Sequence, residues 1–277
     1  MNLDFTEAEL QRYARHIILP EIGGVGQAKL RAAKVLVVGA GGLGAPLLQY
    51  LAAAGVGSIG VVDHDTVSLS NLQRQVIHRT SDVGVAKVDS ARRALAEINP
   101  EVAVIAHPTR LAPDNALALL DGYDIVADGS DNFATRYLLT DACFLARKTL
   151  VAAAILRFEG QLSTYKAHLG PPHPCYRCVF PEPPPPDAVP SCASAGVLGA
   201  MAGTVGAWQA TEVVKEILGV GDSLSGTLLL YDALDARVER LAVARRGDCP
   251  LCGPKPVITS LDSPLARASY AEVYCGG

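Results

Sequence analysis

Apolar positions along the first 155 residues alternate between short continuous runs and longer amphipathic stretches. Val35-Leu36-Val37-Val38, the stretch from about Gly42 to Ala54, and the run at 58–63 predict strand, helix and strand, one βαβ unit. The pattern repeats. A helix over 85–98 stops at Asn99-Pro100, because proline disfavours helical geometry in the residue before it. Val102 to Ala106 reads as a strand, Pro113 to Leu120 as a helix, and Ile125 to Ala127 as a strand. A helix over 132–146 and a strand at 149–154 follow. Strands alternating with helices predict an α/β fold, a Rossmann-like doubly wound sheet.

Ahead of this unit, Thr6-Glu7-Ala8-Glu9 has the spacing of a capping box that opens a helix, and a second short helix leads to Lys34. Beyond Gly160 the period shortens to strand-like alternation at Leu162, Thr164 and Tyr165. A proline-rich loop at 181–190, a helix near 197–218 and a hairpin (227–231, 237–243) complete the chain. This half shows no core of its own, so its C-terminal antiparallel strands are expected to extend the first sheet. The expected division is one domain over 1–254 and a frayed tail over 255–277.

Of the 277 residues, 49% are hydrophobic and 19% charged, which suits a compact, heavily buried protein. A net charge of −4 gives no sign of nucleic-acid binding or of a polybasic membrane contact. Val35 to Val62 and Ala193 to Trp208 carry no charge, but glycines divide both, and both are expected in the core. The polar, acidic start Met1-Asn2-Leu3-Asp4 lacks the apolar segment of a secretory signal, so a reducing cytoplasm and unbridged cysteines are expected.

Gly39-Ala40-Gly41-Gly42-Leu43-Gly44 lies between a strand and a helix, where bare backbone can approach phosphate and free amides face an anion. Asp63, at the end of the next strand, is placed to accept from ribose hydroxyls. The loop alone does not separate NAD from ATP. The residues after it favour a triphosphate: Arg74 and Lys87 as clamps, Asn71 and Gln75 as hydrogen-bonding partners, and Asp131 as a holder of Mg²⁺.

Cys175-Tyr176-Arg177-Cys178 and Cys249-Pro250-Leu251-Cys252 are two Cys-x-x-Cys pairs separated by 70 residues. Four thiolates suit tetrahedral Zn²⁺, and a closed four-cysteine site is structural. A redox pair is the alternative, but neither pair opens a thioredoxin-like helix. Cys192 precedes a helix, where a thiol can become a nucleophile, or it is a small residue at a loop–helix junction. Cys143 falls on an apolar helical face and Cys275 in the tail. His64, His78 and His173 stand at no ligand or triad spacing and are expected to be satisfied surface or loop residues.

Taken together, Arg12 to Leu19, Gly39 to Gly44, Asp63-His64-Asp65 through Gln75, Lys87, Ser130-Asp131-Asn132 and both cysteine pairs resemble the MoeB/ThiF family, most closely MoeB-type members. This family is related to ubiquitin-activating enzymes. The resemblance implies an enzyme that uses ATP to adenylylate the C-terminal glycine of a ubiquitin-like sulfur carrier ending in Gly-Gly, releasing pyrophosphate. The molybdopterin-type carrier is the first expectation. The thiamin-type carrier is the alternative, with an NAD-binding or noncatalytic protein behind it. Residue by residue, it gives Gly39, Gly41, Gly42, Gly44, Asp63 and Asp65 to the nucleotide, with Asp63 on the ribose. It lays Asn71, Arg74, Gln75 and Lys87 along the phosphates and sets Mg²⁺ on Asp131. It implies a homodimer in which Arg15 serves the neighbouring subunit's site, and a sulfur-donor protein as a further partner. Cys192 matches a cysteine that some members link covalently to the carrier, although Ser194 stands where many have glutamate. The terminal Cys275-Gly276-Gly277 also resembles a carrier tail; a functional role for it is a minor expectation.

Overall fold

The computed structural model describes residues 3–185 and 195–270. Two helices lead in, α1 (Glu7–Ile17) and α2 (Gly23–Ala32). The capping box forms as expected: Thr6 Oγ1 accepts from the Glu9 amide, and the Glu9 carboxylate accepts from the Thr6 amide. Tyr13 then pins α1 to the body, its hydroxyl accepting from the buried Asn99 side chain at 2.8 Å.

The first half consists of β1 (Lys34–Val38), α3 (Gly44–Ala53), β2 (Ser58–Val62), α4 (Lys87–Ile98), β3 (Ala103–His107), α5 (Ala116–Leu120), β4 (Ile125–Asp128), α6 (Phe133–Leu145) and β5 (Thr149–Leu156). The second half adds β6 (Glu159–Tyr165), α7 (Tyr176–Val179), α8 (Gly199–Leu218), β7 (Thr227–Asp232), β8 (Arg237–Ala242) and α9 (Pro264–Tyr270).

Among the described residues, eight strands join one sheet in the order β3-β2-β1-β4-β5-β6-β7-β8. The β1–β2, β1–β4, β2–β3 and β4–β5 pairs are parallel; from β5 onward the pairing is antiparallel. The second half therefore extends the first sheet, as its lack of a separate core requires.

β1 explains its own apolar run. Val35 and Val37 pack into a core with α3, α4 and α8, while Leu36 and Val38 pack into the opposite core with α5 and α6. A strand buried on both faces has no polar side to alternate with. No helix among the described residues is long and apolar enough to cross a membrane.

Residues 255–270 are not frayed. Ile258, Leu261 and Ala266 are buried, and α9 packs against α6. The sequence offered little sign of this, because the anchoring partner, Arg177, lies inside a cysteine pair. Residues 271–277, including Cys275, lie outside the described set.

Candidate active site and metal centre

A doubly wound sheet opens a crevice where successive connections leave neighbouring strands in opposite directions. Here that point lies between β1, whose chain continues to β2 on one side, and β4 on the other. A cavity of about 900 Å³ sits there, above the C-terminal ends of the parallel strands. Gly39, Gly41, Gly42, Asp63, Asp65, Arg74, Gln75, Lys87 and Asp131 all line it, so the structure gathers most of the expected residues.

The glycines of the loop do different jobs. Gly39 has φ +97° and would press a Cβ to 2.8 Å from the Gly129 carbonyl oxygen. Gly44 would place one 1.9 Å from the Gly39 oxygen, so it seats the helix on the loop and does not face the cavity. At Gly41 the nearest atom is Gln75 Nε2 at 3.6 Å, leaving its backbone open toward the cavity.

Asp63 closes the loop from the side. Its Oδ2 accepts from the Ala40 amide at 2.8 Å and its Oδ1 from the Asp65 amide at 2.9 Å. Lys87, at the start of α4 and buried, donates to Asp65 Oδ2 at 2.7 Å. Burial pushes the Asp65 carboxyl up, but the Lys87 hydrogen bond and charge outweigh it and hold it below the ordinary carboxylate value. Arg74 runs past Gly42 and donates to the Ser70 carbonyl at 3.1 Å.

The turn carrying Asp131 is braced from beneath. Asp128, fully buried at the end of β4, accepts from the Ser130 amide at 2.9 Å and from the Ser130 hydroxyl at 2.6 Å. Burial raises the pKa of Asp128, opposed by the nearby Arg136 guanidinium. Asn132 caps α6 by accepting from the Thr135 amide, leaving Asp131 exposed on the cavity wall.

Besides Gly44, two expected residues among those described lie off the cavity wall. Asn71 closes a short 3₁₀ turn by accepting from the Ser68 amide. Arg15 is exposed on α1, on the outer surface. Cys192 and Ser194 lie outside the described residues, as does the proline-rich loop beyond Pro185; Pro183 to Pro185 reach the cavity. Sequence reasoning missed Thr109, Arg110 and Leu111, which follow β3 and line the cavity. Their place beyond the C-terminal end of a parallel strand was the available signal. It also passed over Arg136 and Gln161, and it read His78 as a satisfied surface or loop residue when the residue is buried.

The two cysteine pairs meet. All four sulfurs lie within 4.8 Å of one another and all four residues are buried. The Cys175–Cys178, Cys175–Cys249 and Cys178–Cys252 separations are 3.8, 3.5 and 3.4 Å. A tetrahedral Zn²⁺ with Zn–S bonds of about 2.3 Å sets sulfurs about 3.8 Å apart, so the cluster fits a structural zinc site. Hydrogen bonds from Cys175 hold Cys178, at about 6, and Cys249 below the ordinary thiol value, whereas hydrogen bonds within the cluster and burial push Cys175 and Cys252 above it. None of the described cysteines forms a disulfide.

Residues 13–251 match the model of the ThiF family. The chain is 51% identical over 274 residues to a sulfur carrier protein adenylyltransferase of Thermus thermophilus, covering 98% of each chain. It is 52% identical over 269 residues to the mouse adenylyltransferase and sulfurtransferase MOCS3, where it covers 97% of this chain but 56% of the mouse protein. In overall fold it is similar to E. coli MccB crystallised with ATP, at a TM-score of 0.76 and 21% identity, covering 87% of this chain and 74% of that one.

Proposed function

The chain belongs to the ThiF family, and on that premise we propose that it uses ATP to adenylylate the C-terminal glycine of a ubiquitin-like sulfur-carrier protein, releasing pyrophosphate. The carrying observation is the convergence of the glycine loop, Asp63, Arg74, Lys87 and Asp131 on one cavity.

The chemistry suits these groups. A carrier's terminal carboxylate is ionised at neutral pH and needs no general base. It needs alignment with the α-phosphate and relief of the charge that builds on the departing pyrophosphate. The open backbone at Gly41 receives phosphate oxygens, Asp63 the ribose hydroxyls, and Arg74 and Lys87 the leaving group. Asp131 is the carboxylate that would hold Mg²⁺, which supplies further charge neutralisation at the phosphates. The cavity continues past the nucleotide loop to Gln161 and Tyr231, room for an extended carrier tail beside the α-phosphate.

Residues 1–254 carry this reaction, and the segment that follows braces α6. Arg15, exposed and distant, acts in a homodimer by entering the partner's cavity. The molybdopterin-type carrier is the proposed substrate, and a sulfur-donor protein would act on the adenylylated product. Nothing in the adenylylation requires Cys192.

The test is ATP–pyrophosphate exchange with purified molybdopterin-type and thiamin-type carriers, each with and without its last glycine. Exchange that needs the intact molybdopterin-type carrier is expected. Exchange with the thiamin-type carrier alone reassigns the substrate, and none with either removes the proposed reaction.

A further inference from the structure

His78 lies in the connection between β2 and α4, is buried, and approaches the phosphate loop from below. Its Nε2 is 3.0 Å from the Ala40 carbonyl oxygen. A carbonyl oxygen only accepts, so the proton of this bond sits on Nε2 and the imidazole donates it. On the other side of the ring, Nδ1 is 2.8 Å from the Ser90 hydroxyl on α4, which also reaches Asp82 Oδ2 at 2.8 Å. Asp82 is held in turn by Arg93. The imidazole is thus oriented by a chain of contacts that begins on a helix and ends on the loop.

The consequence follows from the planarity of the peptide group. The Ala40 carbonyl and the Gly41 N–H belong to one trans peptide and point in opposite directions. A donor that holds the carbonyl on the core side turns the Gly41 N–H to the other side, where Gly41 borders the cavity. The adjoining peptide is fixed as well, since the Ala40 N–H donates to Asp63 Oδ2 at 2.8 Å. Asp63 and His78 therefore grip successive peptide groups, one at the ribose side and one beneath the phosphates.

We propose that His78 is a positioning residue for nucleotide phosphates: by holding the Ala40 carbonyl it aims the Gly41 amide at a phosphate oxygen. The inference rests on the assignment of the cavity to ATP. His78 itself touches no substrate. Its contribution is a preset dipole, which costs no reorganisation when charge arrives.

The test compares the whole protein with His78→Phe, which keeps a ring without a donor, and with His78→Gln, whose amide can donate in place of Nε2. Affinities for ATP and for adenosine are measured by calorimetry and competition. His78→Phe is expected to lose about tenfold or more in ATP affinity while adenosine affinity stays within about twofold, and His78→Gln to recover most of the loss. Ser90→Ala, which frees the ring without removing the donor, is expected to fall between. If His78→Phe binds ATP like the wild type, or loses ATP and adenosine equally with no rescue by glutamine, the proposal is overturned. Wild-type protein that binds no ATP overturns instead the assignment of the cavity.

Discussion

Arg177 stands between two cysteines of the metal cluster, yet its guanidinium forks onto Asp141 of α6, with Nε and Nη2 each 2.7 Å from a carboxylate oxygen. Both side chains are almost wholly buried, and Tyr270 of α9 donates to the same carboxylate at 2.7 Å. The metal module, the core helix and the last described helix meet at this pair. Burying two charges is costly, and removing one partner strands the other. Arg177→Met is therefore expected to lower stability by about 3–5 kcal/mol, with Arg177→Met/Asp141→Leu recovering a substantial part. Urea unfolding of both variants checks this, and a double variant no better than the single one would count against it.

Cys249→Ser is expected to lower bound zinc and melting temperature together. Loss of a thiolate opens a closed four-sulfur site, and binding energy in such a site is folding energy. Metal content by mass spectrometry and a thermal scan on the same sample decide the matter; zinc that stays stoichiometric would refute the four-cysteine assignment.

Gly44→Ala and Gly41→Ala should fail in different ways. A methyl at 44 meets the Gly39 carbonyl at 1.9 Å, so the protein should lose stability or not accumulate. A methyl at 41 finds nothing nearer than 3.6 Å and should be tolerated by the fold. It would intrude on the space proposed for phosphate, lowering ATP-dependent exchange about a hundredfold while the melting temperature moves little. Equal exchange by wild type and Gly41→Ala would place the phosphates elsewhere.

The Lys87–Asp65 pair sets a pH dependence. The folded-state pKa of Asp65 lies below its ordinary 3.8, so the unfolded chain takes up its proton first as pH falls. The stabilisation is present above 3.8 and is lost as pH drops through the depressed native value. Asp65→Asn should therefore be less stable than wild type near neutral pH, the gap closing in acid. Chemical denaturation at a series of pH values would show it, and a gap that widens in acid would reverse the assigned sign.

Arg15→Ala should abolish exchange in the pure variant. Mixed with an Arg74→Ala subunit, it should regain up to about a quarter of wild-type activity, because one cavity in a mixed dimer then has both arginines. Mixtures as inactive as either parent would argue against a shared site.

Much of the architecture was legible because parallel strands advertise themselves: β1 and β2 are buried on both faces and read as unbroken apolar runs. The loop residues were legible for a related reason, since glycine and charged residues at strand ends have few structural roles to compete with. Contacts that depend on distant pairing were not legible. Asn99 reads as a helix stop, but it also holds Tyr13 of α1. His78 reads as a polar loop residue because nothing local reveals that its ring faces Ala40. The packing of 255–270 was hidden likewise, its polar anchors being Arg177 and Asp141, which ordinarily favour the surface.

The meeting of the two cysteine pairs has a topological consequence. With a metal in place, the chain from Cys178 to Cys249 becomes a closed ring that contains α8 and the β7–β8 hairpin. Closing a ring of about 70 residues restricts the unfolded chain by an amount worth about 4 kcal/mol on the scale used for covalent crosslinks. From inside that ring, Gln209 on α8 donates to the carbonyls of Asp128 and Val151, bridging the two parallel strands nearest the antiparallel half. The ion would thus act as a clasp whose release loosens the hinge line of the whole sheet, making metal supply a determinant of how cooperatively the protein melts.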